Sequence, residues 1–290
     1  MLKRLLSKLE EQKTKDFFDY SIVIVDNDRS ESARMAVECY ARRSKISIYY
    51  CVEPEQNISL ARNKAIENAK GDLIGLIDDD EFPHEDWLLS LYKAIKCYKA
   101  DGILGPVIPH FEKRPPKWVL KGRFFNRETH RSGHILGWKN TRTGNALLRR
   151  ELFREDFKWF DPKFGSGGED QDFFRRRISE GYIFVWCNEA PVFEIVPAER
   201  WKRKILIKRA LLRGKMALNA AKFRHISVLK SIIAILIYTL CLPLLLVMEH
   251  CAFMKYFIKN FDHIGKLLTF FGIDLVKDKY VTSHTNSERR

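Results

Sequence analysis

None of the six cysteines (Cys39, Cys51, Cys97, Cys187, Cys241 and Cys251) forms a CxxC pair, and no secretory signal peptide opens the chain. Reduced, mostly structural thiols in a cytosolic setting are therefore expected. No HExxH and no Cys/His cluster occurs, which argues against a zinc site. Zinc-finger spacing, RNP-like aromatic motifs and other nucleic-acid reading modules are also missing. Acidic residues are in deficit, with 37 Asp and Glu against 51 Lys and Arg, a net charge of +14. That excess points to anionic partners: phosphorylated substrates, an acidic membrane surface or nucleic acid. Without a reading module, no nucleic acid is expected. The 290 residues, 46% of them hydrophobic, suffice for one large domain or a domain with an appendage.

What is present begins with Gly71 to Pro83, GDLIGLIDDDEFP. An apolar strand (Leu73, Ile74, Leu76, Ile77) runs into Asp78, Asp79, Asp80 and Glu81. Carboxylates crowded at a strand end repel one another unless a cation is shared there. Hard oxygen donors suit Mg²⁺ or Mn²⁺, which commonly bridge to phosphate oxygens. A metal–diphosphate site is one reading and a solvated acidic turn is the other. Spacing alone does not choose between them.

Periodicity predicts a helix within 1–14 (Leu2, Leu5, Leu6, Leu9), then a strand Ser21 to Val25 ending in Asp26-Asn27-Asp28. A helix over about 30–43 and a strand Ile46 to Cys51 follow. Asn57 to Lys70 reads as a helix, with Ser59 near its start and Gly71 as its stop. After the acidic run come a helix Asp86 to Tyr98 and a strand Gly102 to Ile108. Strands alternating with helices predict an α/β fold on a mainly parallel sheet. Ligands of such sheets bind at the carboxyl ends of strands, where Asp26 and Asp78 both fall. Pro109 to Arg142, with Pro115-Pro116, three glycines and many basic and aromatic residues, reads as a functional flap or a poorly ordered insertion.

Strand-like sequence returns in Arg142 to Arg150, RTGNALLRR. A glycine turn in GSGGEDQDFFRRR (165–177) then feeds a helix that opens on Glu169 and Asp170. Acidic residues suit a helix N-terminus through the dipole alone. The functional alternative is a carboxylate that takes a proton from a substrate hydroxyl, with Gly167 and Gly168 leaving room for a bulky substrate. Arg62 in SLARNKA is either a surface helix residue or a planar fork for a base or phosphate.

Trp201 to Lys215 carries seven basic residues and no acidic one, interleaved with Ile205, Leu206, Leu211 and Leu212. This basic amphipathic segment is expected to lie on a membrane surface. Ser231 to Met248 is uncharged and mostly apolar over eighteen residues, at the short end for crossing a bilayer.

Four of these stretches together resemble the family-2 glycosyltransferases of the GT-A, Rossmann-like fold. They are IVDND (Ile24 to Asp28), NISLARN (Asn57 to Asn63), IDDDEFP and GGEDQDFF, in the family's order. Their wording is nearest to bacterial exopolysaccharide glucosyltransferases of the succinoglycan type. The resemblance implies a GT-A domain over 1–215; composition adds a hydrophobic, membrane-associated helical segment over 216–276 and a polar tail over 277–290. It implies Asp26 and Arg62 at the nucleotide, Asp78 and Asp80 on Mn²⁺ or Mg²⁺, and Asp170 as catalytic base. Gly168, Glu169 and Arg209 join the substrate contacts, Arg209 toward the diphosphate. The implied reaction is inverting transfer from a nucleotide-diphosphate sugar, UDP-linked, to a saccharide or lipid-linked acceptor at the cytoplasmic face of a bacterial inner membrane.

Two departures stand beside it. Many relatives carry a metal-binding histidine after the last core strand, where PVFEIVPAER has Glu194. The family also opens with a strand ending in a Thr-Tyr-Asn-like turn, whereas this chain opens with the following helix, so Met1 is expected to be an internal methionine. An inactive membrane-associated partner in a polysaccharide assembly complex is the alternative reading. A nucleic-acid-binding protein, suggested by charge alone, is the more distant one.

Overall fold

The computed structural model describes residues 1–154, 159–165, 167–219 and 221–273. The expected polar tail, and the last residues of the segment expected over 216–276, lie outside them. In chain order the first elements are α1 (Leu2–Glu10), β1 (Ile22–Asp26), α2 (Arg34–Ala41), β2 (Ile48–Val52), α3 (Ile58–Asn68), β3 (Leu73–Ile77), β4 (Glu81–Pro83) and α4 (Trp87–Tyr98). Next come β5 (Gly102–Leu104), β6 (Val107–His110), α5 (Lys117–Gly122), β7 (Asn145–Arg149), α6 (Glu169–Ser179), β8 (Phe184–Trp186) and β9 (Val192–Ile195). The helices α7 (Arg203–Asn219), α8 (Arg224–Met248) and α9 (His250–Phe270) close the order.

The chain folds into two compact units. Among the described residues, the first is built from Met1–Ile108 and Arg127–Ile195, the second from Pro109–Asn126 and residues 196–273. The division thus falls at 195/196 rather than after 215, and 109–126 leaves the first unit. The reason is packing: Leu206 and Ala210 of α7 are buried with Val119, Phe125, Met254 and Ile258.

The α/β class is as expected, but the sheets are mixed rather than mainly parallel. β1 pairs parallel with β2, Asp26 lying opposite Val52. A second sheet has the order β3-β7-β5-β8, with β7 antiparallel to both β3 and β5, and β5 parallel to β8. A short antiparallel pair, β4 with β9, sets Glu81 opposite Glu194. One apolar cluster joins Leu5 and Leu9 of α1 to Trp87, Leu91 and Ile95 of α4. Another gathers Phe153, Phe160, Phe173, Phe174 and Phe184. Burying these rings supplies the main favourable term for the unit.

The expected strand from Gly102 to Ile108 is broken in two at Gly105-Pro106. Proline has no ladder donor, and a Cβ at Gly105 would meet the Ala190 carbonyl at 2.4 Å. Asn145 holds this break together. Its Nδ2 donates to the carbonyls of Pro106 (3.0 Å) and Ala190 (2.8 Å), and its Oδ1 accepts from Trp87 Nε1 at 2.8 Å. We expect Asn145→Ala to lower the unfolding free energy by about 3 kcal/mol or more, because each buried group left without a partner costs about 1–3 kcal/mol. Urea titration followed by tryptophan fluorescence checks this; an unchanged midpoint would contradict it.

The stretch read as a flap or loose insertion is built structure. Lys117–Gly122 is helical, with Val119 in the core of the second unit. Further along, Leu136 donates to the Phe184 carbonyl at 2.8 Å and Trp186 to the His134 carbonyl at 2.9 Å, extending β8 on the first unit. All six cysteines are free thiols.

In the second unit α7 and α9 approach at backbone distance. A Cβ at Gly214 would lie 2.1 Å from the Asp262 carbonyl, and one at Gly265 would lie 2.3 Å from the Leu211 carbonyl. Arg213 and Asp262 pair at 2.9 Å beside this crossing. A single residue, Glu249, separates α8 from α9. Among the described residues, α8 alone is long and apolar enough to cross a membrane.

Candidate active site

Three of the predicted residues meet directly. Arg62 extends from α3, its side chain 14% exposed, and pairs through Nη1 with Glu169 and through Nη2 with Asp78 Oδ1 at 3.3 Å. Asp78 directly follows β3, and Glu169 opens α6 with its side chain 4% exposed. One guanidinium therefore joins the acidic strand end to the acidic helix start. A planar donor fork suits this bridging geometry better than a lysine would.

Asp170 follows Glu169 and is 16% exposed. Its Oδ1 accepts the Gln171 N–H at 2.7 Å, and its Oδ2 lies 3.9 Å from Arg142 Nη1. Gly167 and Gly168 precede it with φ of 128° and 99°, values that suit glycine and turn the chain sharply into α6. Asp170, with Glu169 and Asp172, also complements the dipole of that helix.

The motifs around Arg62 are fastened together through contacts that sequence reasoning missed. Asn57 caps α3: its Oδ1 accepts from Ser59 N (2.9 Å) and Leu60 N (3.3 Å). The same side chain donates from Nδ2 to the Pro162 carbonyl at 3.0 Å, and a Cβ at Gly165 would strike it at 2.4 Å. Asn63 exchanges two hydrogen bonds with the backbone of Phe160, at 2.9 and 3.0 Å. At the other end, Asn27 accepts the Asn57 N–H at 3.0 Å and donates to the Glu53 carbonyl at 2.9 Å. The only signal in the sequence was asparagine at turn positions, a pattern too common to single these out.

Asp26 lies one step from this centre, linked through Asn27 and Asn57. It is buried, and its Oδ2 accepts from Tyr50 Oη and from Ala33 N, both at 2.8 Å. Burial and the Asp26 carboxylate push the Tyr50 phenol well above its ordinary range. Arg209 belongs to the second unit, where its guanidinium stands 5.7 Å from the Phe125 ring centroid.

Beside Asp78 and Asp80 lies a further group. Glu81 is 1% exposed, and its Oε2 accepts the Asp78 N–H at 3.3 Å while its Oε1 has no partner. Burial, then the charge of Asp78, pushes its carboxyl well above the usual range, against the pull of Arg127. Arg127 also pairs with Glu194 at 2.7 Å. Gly144 leaves space for these carboxylates, since a Cβ there would sit 2.8 Å from Glu81 Oε1 and 3.1 Å from Asp78 Oδ2. Ile195 N donates to the Asp80 carbonyl at 2.8 Å, tying the acidic turn to the end of β9.

The donor set fits a hard divalent cation: oxygen ligands only, and a buried carboxylate oxygen without a partner. No three His, Cys, Asp or Glu side chains among the described residues form a ready cage. A cation held by one or two carboxylates and completed by water and phosphate oxygens needs none.

The mixed α/β architecture, with helices packed on the β3-β7-β5-β8 sheet, is of the GT-A class. The solved S. aureus TarS 1–349 in complex with UDP matches over 96% of this chain and 91% of its own, with a TM-score of 0.51. At 14% identity that likeness concerns the fold alone. The model of the family "Glycosyl transferase family 2" matches residues 1–157, and the chain belongs to that family. It is 35% identical over 198 residues to succinoglycan biosynthesis protein ExoM of Rhizobium meliloti, covering 67% of this chain and 62% of that protein. It is 24% identical over 199 residues to the glucosyl-dolichyl phosphate glucuronosyltransferase of Haloferax volcanii, covering 67% and 58%. The chain thus spans about three fifths of the length of these relatives.

Proposed function

We propose that the protein transfers a sugar, with inversion, from a nucleotide-diphosphate sugar to a saccharide acceptor in polysaccharide assembly. The observation that carries this reading is the Arg62 bridge between Asp78 at the strand end and Glu169, the residue before Asp170. ExoM's role in succinoglycan biosynthesis supports the polysaccharide context, and UDP in the TarS structure supports a uridine donor.

Asp26 and Arg62 hold the base and ribose, and Gly168 and Glu169 line the donor sugar. Arg209 is assigned to the diphosphate. Asp80, with Asp78, would hold Mn²⁺ or Mg²⁺, which supplies charge neutralisation for the diphosphate leaving group. Asp170 accepts the proton of the acceptor hydroxyl as its oxygen bonds to the anomeric carbon and the bond to the diphosphate breaks. One displacement inverts the centre and needs no enzyme nucleophile. The basic α7 and apolar α8 support a lipid-linked acceptor and a site at the cytoplasmic face of a bacterial plasma membrane.

A panel of nucleotide sugars, read by release of nucleoside diphosphate in the presence of Mn²⁺ or Mg²⁺, tests this. We expect release from a UDP-sugar, lost on chelation with EDTA. No release and no binding with any donor would overturn the reading.

A further inference from the structure

We propose that α8 lies in the plane of one leaflet of an anionic bilayer instead of crossing it. The inference rests on the membrane-surface reading above and adds an orientation to it. Helix α8 has two unlike faces. Ser231 is buried and shares a hydrogen bond with His263 at 3.2 Å, Thr239 accepts from Asn260 Nδ2 at 3.2 Å, and Tyr238 faces Lys259, whose Nζ is 5.7 Å from the ring centroid. These contacts bind one stripe of α8 to α9. The opposite face presents Leu229, Ile233, Leu236, Leu240, Leu244 and Val247, all exposed.

A continuous apolar face on a helix of 25 residues is about 37 Å long, enough to span hydrocarbon if it stood upright. Its partner forbids that pose. The contacts of Tyr238 and Thr239 with Lys259 and Asn260 set the exposed Lys259 level with the middle of α8. With α8 upright, Lys259 would sit at the bilayer centre and Lys255 within the hydrocarbon, a costly place for an ammonium group. With α8 lying flat, its apolar face enters the acyl region along its whole length and α9 stays on the aqueous side. Lys255 and Lys259 are then within reach of lipid phosphates.

Charge agrees with that surface. From Trp201 to Ile273 there are thirteen Lys and Arg (202, 203, 204, 208, 209, 213, 215, 222, 224, 230, 255, 259, 266) against two acidic residues, Glu249 and Asp262. Such an excess draws a segment to anionic headgroups.

The test uses the full chain on preformed vesicles of phosphatidylglycerol and phosphatidylcholine. Nitroxides are placed one at a time through Leu229→Cys, Leu236→Cys and Val247→Cys in a background without the native cysteines. Depth is read by power-saturation EPR. The three labels are expected at one shallow depth, about 5–10 Å below the headgroups. A middle label deepest, with the outer two near opposite faces, would overturn the orientation and leave membrane binding standing. Failure of the wild-type chain to float with the vesicles would remove membrane binding itself. As a check on unaltered protein, an impermeant amine reagent added outside is expected to label Lys255 and Lys259 together with Lys222. Protection of Lys255 and Lys259 alone would argue for crossing.

Discussion

Asp170→Asn is expected to lower turnover by about 10²- to 10⁴-fold, the usual contribution of a positioned general base, while nucleotide binding stays near wild type. Asparagine keeps an oxygen where Oδ1 accepts the Gln171 N–H, so the start of α6 is preserved and folding is spared. What is lost is the capacity to take a proton. Nucleoside diphosphate release under saturating donor and acceptor, beside a calorimetric titration with UDP, separates the two quantities. Turnover within a few-fold of wild type would remove Asp170 from the base role. A parallel loss of UDP affinity would assign it to binding instead.

Arg62→Ala is expected to destabilise the fold by about 3–5 kcal/mol, the cost of breaking a buried ion pair by removing one partner. Glu169 would be left with its side chain 4% exposed, and its Oε2 already has no partner. Asp78 would lose its cation at the same time. Thermal and urea unfolding measure the loss, and the double variant Arg62→Ala with Glu169→Gln should regain part of it. An Arg62→Ala protein as stable as wild type would show that the pair contributes nothing net. Lysine at 62 is expected to restore charge but not the bridge, since a single ammonium cannot present the same fork to two carboxylates.

How much of this was legible varies by residue type. Asp78, Arg62, Glu169 and Asp170 stood out because charged residues at strand ends and helix starts conflict with simple burial; that Arg62 pairs with both Asp78 and Glu169 had no signal in the sequence. Regular elements also carried a clear signal: α4 begins one residue after its predicted start, and α3 falls inside its predicted span. The antiparallel course of β7 was hidden, because a strand buried over Asn145 to Leu148 reads alike in either direction. Arg127 could not be found, since its partner Glu194 is 67 residues away and its own neighbourhood reads as loop. Asn57 and Asn145 were missed for a related reason. A polar side chain that satisfies distant carbonyls leaves no local pattern, and its role exists only once the chain has closed around it.

The crossing of α7 and α9 at Gly214 and Gly265 changes where the molecule can be cut. With each glycine seated against the other helix's carbonyl, the two helices behave as one body joined by their backbones. A truncation that ends between α7 and α8 would not divide the second unit cleanly. It would leave on α7 an open trough shaped to a missing helix, lined by Leu206, Ala210 and Gly214. The border inside this helical unit therefore follows a helix surface, and no single peptide bond marks it.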